Sequence, residues 1–186
     1  RTVHRLDRPV GGVMVFARSR MADSLLSRQV QAHTFQKDYL AVLEGVPAQA
    51  SGVLEDQLRR DTATRRTCVA DAPGPDTRPA RLSYRVLGEE DGRALVLIRL
   101  ETGRTHQIRA QFRHAGCPLL GDGKYGREKD NRAYGEKGQA LCSWRLRFVF
   151  DTPAGALEYL NGKSFRTKTP EFVEKYFPTF AERMKT

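Results

Sequence analysis

Cysteine is scarce in this 186-residue sequence. There are three, Cys68, Cys117 and Cys142, an odd number, widely spaced and with no C-x-x-C pair. That pattern argues against a disulfide framework and against a zinc site, and it favours a reducing compartment, so a cytoplasmic protein is expected. Long apolar runs are missing too: nothing approaches the ~18 residues that a membrane span needs. No signal-peptide pattern opens the chain. Acidic residues are outnumbered, with Asp and Glu at 22 against 32 for Lys and Arg, a net charge of +10 and a pI near 9.9. The excess fits a polyanionic partner, and nucleic acid is the first candidate. The sequence offers neither a metal-ligand cluster nor a phosphate-binding glycine loop.

What is present fits one catalytic-sized domain, residues 1–186, with 39% hydrophobic and 29% charged residues and enough chain to bury a core. The organising stretch is Arg1 to Ala17. A charged, turn-forming segment carries a lone carboxylate, Asp7, among His4, Arg5 and Arg8. It passes Pro9, Gly11 and Gly12 into an apolar run, Val13 to Ala17, that reads as a buried strand. Asp7 has two employments: an ion-paired structural carboxylate, or a nucleophile held ionised by nearby guanidinium groups. Composition does not choose between them.

Further along, Ser19 can cap a helix with Ala22, Leu25, Leu26 and Val30 on one face. Residues 36–44 alternate as a strand that Gly45 ends, and Tyr39 on it reads first as a core aromatic. A short strand from Gly52 to Leu58 leads to Arg59, Arg60, Arg65 and Arg66, four arginines in eight residues at a hairpin tip. They are either a phosphate-binding loop or a solvated basic turn. Residues 71–79, dense in Pro and Gly, read as loop. Strands 81–88 and 93–100 form the clearest hairpin, with Asp91-Gly92 as its turn signal. Thr105 can cap a helix from His106 to about Ala115, with His106, Arg109 and Arg113 on one side. Residues 127–139 read as a polar, mobile stretch, 139–150 as a strand, and Leu157 to Leu160 as a last strand. Pro170 to Met184 reads as a helix interrupted at Pro178.

Four blocks carry a resemblance. His4-Arg5-Leu6-Asp7-Arg8-Pro9 with Gly12 comes first, then Lys37-Asp38-Tyr39 on to Gly45. Thr102-Gly103-Arg104-Thr105-His106-Gln107-Ile108-Arg109 follows, and then Gly116-Cys117-Pro118 with Gly121-Asp122-Gly123-Lys124-Tyr125-Gly126. In this order they resemble the RluA-type RNA pseudouridine synthases. The opening His4 and the Thr105-His106-Gln107 triplet favour that branch over the related RsuA branch. The resemblance implies an α+β fold, with a mixed, mainly antiparallel central sheet and flanking helices. It also implies several tens of upstream residues, including a strand, that are absent here, so a chain lacking its N-terminal segment is expected.

The implied reaction converts uridine to pseudouridine within ribosomal or transfer RNA, without cofactor, in an enzyme expected to be a monomer. Asp7 is then the nucleophile, attacking either the ribose anomeric carbon or carbon 6 of the ring. Arg109 is its ion-pair partner, and Tyr39 stacks on the uracil and is the candidate for removing the carbon-5 proton. Arg8 and His4 fill the space that the target base vacates or hold backbone phosphates. Arg104 and His106 brace the loop and contact RNA, Arg5 joins them in binding substrate, and Arg59, Arg60, Arg65 and Arg66 add affinity. A uridine in folded RNA must be flipped out to be reached. The family often has a histidine near Cys142 and Ser143, and neither position is His here. Two other readings compete: an RNA-binding module without catalysis, which would not need Asp7, Tyr39 and Arg109 together, and an aspartyl-nucleophile hydrolase. The second would want a further acid/base carboxylate or a metal cluster, and neither stands out.

Overall fold

The computed structural model describes residues 1–126 and 138–185. The elements in chain order are β1 (Gly11–Gly12), α1 (Arg20–Gln31), β2 (Phe35–Glu44), β3 (Ser51–Asp61), β4 (Arg66–Ala70), β5 (Thr77–Glu90) and β6 (Arg93–Leu100). Then come α2 (Gln107–His114), β7 (Leu141–Phe148), a 3-10 helix (Gly155–Leu160), β8 (Ser164–Arg166), α3 (Glu171–Tyr176) and α4 (Pro178–Lys185). Among the described residues the strands form one sheet in the order β1-β7-β2-β6-β5-β3-β4, with β8 also paired to β7. Every pairing is antiparallel except β1 with β7. The fold is the α+β sheet structure that the resemblance implies. No helix among the described residues is long and apolar enough to cross a membrane.

β2 sits centrally and is apolar on both faces, so it must be covered on both. On the front, Tyr39, Ala41 and Leu43 pack with Ile98, Ile108 and Phe112, which brings α2 onto the sheet. Also on the front, Phe35, Leu146 and Phe148 pack with Leu26 of α1 and Leu157 of the 3-10 helix. On the back, Leu40, Val42 and Leu95 pack with Val173, Phe177 and Ala181 of α3 and α4. Two helices on one face, set apart along β2, leave a gap between them. That gap is the cleft.

The β5–β6 turn uses Asp91 and Gly92, both at positive φ, the two-residue geometry that suits the twist of paired strands. Ser19 caps α1 by accepting from the Ala22 N–H at 3.1 Å.

Several expectations need correction. Val13 to Ala17 is not a ladder strand. Only Gly11 and Gly12 pair with β7, and the rest is an edge segment held by Val13 N–H to the Ser143 carbonyl and by a bridge of Phe16 to Thr2. Gly12, at φ 122°, is required there because any Cβ would collide with the Ser143 backbone. The stretch from Leu157 to Leu160 is 3-10 helix, and the last strand is β8. β3 runs on to Asp61 and β5 begins at Thr77, so part of the stretch read as loop is sheet. Most of the 127–139 stretch lies outside the described residues.

Candidate active site

Between α1 and α2 lies a cleft of about 320 Å³, the size of a small-ligand pocket. Its floor is β2, through Lys37 and Tyr39. Its walls are Val30 and His33 at the end of α1 and Gln107 and Ile108 at the start of α2, and its rim is the segment from Val3 to Asp7. A second, more open concavity shares Asp7, His106 and Arg109 with it and adds Arg5, Arg8 and Lys124. Asp7 therefore stands where this cleft, of mixed polar and apolar lining, meets a basic groove.

The rim is positioned by backbone bonds. The Asp7 carbonyl accepts from Val10 N–H at 2.8 Å, closing a turn through the cis Arg8–Pro9 bond. The Gln139 amide donates to the Arg8 carbonyl at 3.1 Å. His4 Nε2 accepts the Val15 N–H at 3.0 Å, which ties the strip before Asp7 to the edge segment after it. Burial and then the Lys37 charge pull the His4 imidazole down from 6.5 to about 4. It stays neutral, as an acceptor must.

Arg109 is 5% exposed. It sends its fork to Asp122, Nε and Nη2 each 2.7 Å from a carboxylate oxygen, and Asp122 also accepts the N–H groups of Lys124 and Tyr125. The remaining Nη1 lies 3.7 Å from Asp7. The expected Asp7–Arg109 pair is thus present as a longer contact, while the tight bidentate partner is Asp122. Burial works against the Arg109 charge, but the bonds and charge of Asp122, with Asp7 behind them, raise its pKa overall.

Tyr39 is buried, and it stands opposite Ser143 on β7, with whose side chain it shares a hydrogen bond. Burial pushes its phenol up to about 12, with the Asp7 charge adding to the push and the Ser143 bond opposing it. That is the reverse of the activation a base needs in the resting protein. Lys37, two residues earlier on the same face, is held below the usual ammonium range by burial.

α2 begins at Gln107, not at His106. Its N-terminal side is fastened without Thr105: the Gln107 side-chain oxygen accepts from the Thr102 hydroxyl and the Arg104 N–H, and its amide donates to the Arg81 carbonyl. His106 takes a left-handed backbone, φ 54°, with no side-chain cap bond, a conformation that costs a non-glycine residue stability. It turns the ring to Tyr125, whose hydroxyl lies 2.8 Å from Nδ1. That hydroxyl also accepts the Thr67 N–H at 2.7 Å. Burial lowers the His106 pKa, against a raising pull from Asp7.

The four arginines divide. Arg60 faces the site, its guanidinium 3.5 Å from His106 Nδ1. Arg59 and Arg66 project from the other face of the hairpin by strand alternation, and Arg65 sits in its turn at positive φ. Arg104 donates to the Pro79 carbonyl at 3.0 Å and lines the cleft. Sequence reasoning missed Lys37, Ser143, Asp122 and Tyr125 as site residues. Three of them lie inside the quoted blocks; Ser143 is visible only through its cross-strand pairing.

The family model for RNA pseudouridylate synthase matches residues 1–114. An uncharacterized RNA pseudouridine synthase of Chloroflexus aurantiacus is 43% identical over 124 residues, which is 67% of this chain and 38% of that protein. The ribosomal large subunit pseudouridine synthase D of Haemophilus influenzae is 40% identical, over 67% of this chain and 37% of its own length. Human RNA Pseudouridylate Synthase Domain Containing 1 superposes with a TM-score of 0.77 at 21% identity, covering all of this chain and 80% of that one, a likeness of fold. The chain spans between 31% and 51% of the length of the curated relatives it matches. On the family match over most of its length, and on its four motif blocks, the chain belongs to the RNA pseudouridylate synthase family, in its RluA branch.

Proposed function

We propose that this chain is the catalytic part of an enzyme that isomerises uridine to pseudouridine in ribosomal or transfer RNA. It works in the cytoplasm, as one domain and as a monomer. The observation that carries the reading is Asp7 on the rim of the cleft, facing the buried Arg109 at 3.7 Å, beside a basic groove suited to phosphates. The name of the Haemophilus influenzae relative makes large-subunit ribosomal RNA the first substrate to try.

In this reading the target uridine is flipped into the cleft, with Arg5, Arg8 and Lys124 on the adjoining backbone. Asp7 attacks the ribose anomeric carbon or carbon 6 of the ring. The bond from ribose to the ring nitrogen breaks, the base turns, and a bond forms from ribose to carbon 5. On the ribose route that new bond displaces Asp7 from the anomeric carbon, whereas on the ring route Asp7 leaves carbon 6 last. Carbon 5 loses its proton and the nitrogen gains one, so product and substrate have the same atoms. No electron is transferred.

Arg109 serves Asp7 by position. Its fork on Asp122 fixes the guanidinium, so Nη1 faces the nucleophile without side-chain freedom to lose. Tyr39 walls the base, and in the resting site it is a hydrogen-bond donor. On the ring route, while Asp7 is bonded to carbon 6, its charge is gone, and with it part of the push that keeps the phenol protonated. The phenol can then pass its own proton to the freed ring nitrogen and, as phenolate, take the carbon-5 proton.

The test is pseudouridine formation in cellular RNA by the parent and by Asp7→Ala, matched for folding and RNA affinity. Product from the parent alone supports the reading. RNA binding without product from either returns it to a binding module, unless adding the upstream segment of its relatives restores activity.

A further inference from the structure

Asp38 follows Lys37 on β2 but projects from the opposite face of the sheet. Its carboxylate is 2% exposed and is gripped by two arginines. Arg99 donates from Nε at 2.8 Å and from Nη2 at 3.3 Å. Arg145 donates from Nε at 2.8 Å and from Nη2 at 2.6 Å. One buried negative charge thus holds two guanidinium groups in fixed orientation, and neither Nη1 has a hydrogen-bond partner among the described residues. Across the next pairing, Arg166 of β8 stands opposite Arg145. Arg99, Asp38, Arg145 and Arg166 are therefore one row of facing residues on four adjacent strands, about 15 Å long at the usual strand spacing. Arg147, exposed, lies beside the row on the same face.

The row carries three positive charges against one negative, and Asp38 serves only to hold two of the three. A buried carboxylate costs desolvation, and a purely structural partner would need one arginine. Two pre-set guanidinium edges with spare donors match the oxygens of a phosphodiester. The place fits as well. Lys37 and Leu100, the chain neighbours of Asp38 and Arg99, line the cleft on the front, so the row lies directly behind it.

We propose that this row is a second phosphate-binding surface, taking the RNA backbone that leaves the cleft and passes round the end of the sheet. The inference rests on the reading that RNA occupies the cleft. A polyanionic strand is favoured over an acidic protein surface because the donors lie along one line across the sheet, at the strand ends whose neighbours Lys37 and Leu100 line the cleft.

The experiment compares two single-stranded oligouridylates, one of about five nucleotides, enough for a single cleft, and one of about 30. Two variants are measured against the parent. Arg147→Glu/Arg166→Glu changes exposed side chains, and Arg99→Gln leaves Asp38 paired with Arg145. For the long RNA, the double variant should bind roughly tenfold more weakly at low salt, with a salt slope smaller by about 1.4 for two lost contacts. Arg99→Gln should lower the slope by about 0.7. Binding of the short RNA should not change. Unchanged long-RNA binding in both variants, or equal losses for both lengths, overturns the proposal while leaving the cleft reading intact. A parent that binds neither RNA overturns both.

Discussion

Arg109 and Asp122 are joined by two 2.7 Å bonds in a region where both side chains are almost wholly buried. Removing one partner leaves a buried charge uncompensated. Arg109→Met should therefore destabilise the fold by about 3–5 kcal/mol, read by denaturant unfolding. Arg109→Lys keeps a charge but not the fork, so it should recover part of that loss while leaving Asp7 poorly faced and product formation low. Full activity in a stable Arg109→Met protein would remove Arg109 from the account.

Tyr39→Phe keeps the ring that walls the cleft and deletes the hydroxyl that bonds Ser143. RNA affinity should hold while turnover falls by about 100-fold or more, the scale of a lost proton-transfer group. Ser143→Ala, which leaves the phenol in place, should cost far less. Equal turnover in Tyr39→Phe and the parent would leave the tyrosine as packing.

His4 gives the fold a pH dependence whose sign follows from its partner. Its pKa is about 4 when folded against 6.5 when free, so between those values the unfolded chain binds the proton and the folded one does not. Stability contributed by the neutral ring is complete above 6.5, declines as pH falls toward 4, and loses nothing further below that. His4→Gln, which can still accept from Val15, should flatten this dependence in denaturant titrations across that window. An unchanged slope would assign the dependence to other groups.

The arginine hairpin should behave unevenly. Arg60, which reaches His106, is expected to lower the salt slope of short-RNA binding by about 0.7 when changed to Gln, with turnover retained at saturating RNA. Arg59→Gln, projecting from the other face, should not alter short-RNA binding.

Much of this was legible because local chemistry and tertiary setting agree. Ser19 before Ala22, Leu25 and Leu26 specifies α1 by its cap and its apolar face. Asp91-Gly92 specifies the central hairpin by its backbone preference. Where the two part, the reading failed. In Val13 to Ala17, Val13, Val15 and Ala17 pack against α1, β7 and the 3-10 helix while Phe16 is exposed, and an apolar run reads alike in a strand and in a packed edge. Leu157 and Leu160 recur at i and i+3, which a single 3-10 turn satisfies as well as a strand end. Thr77 to Pro79 join β5 through pairing with β3, a long-range cause that no turn residue announces. The site divides similarly. Asp7, Tyr39 and Arg109 stand in motif blocks, whereas the choice of Asp122 over Asp7 for the arginine fork depends on a fold-level approach of α2 to the turn after Leu120.

The central claim is that Asp7 starts a reaction that ends with loss of the carbon-5 proton. The most direct measurement is tritium released to water from large-subunit ribosomal RNA whose uridines carry tritium at carbon 5. The parent should release tritium in step with pseudouridine formed, and Asp7→Asn, folded and still binding RNA, should slow release by at least about a thousandfold. Release at the parental rate from Asp7→Asn would contradict the account.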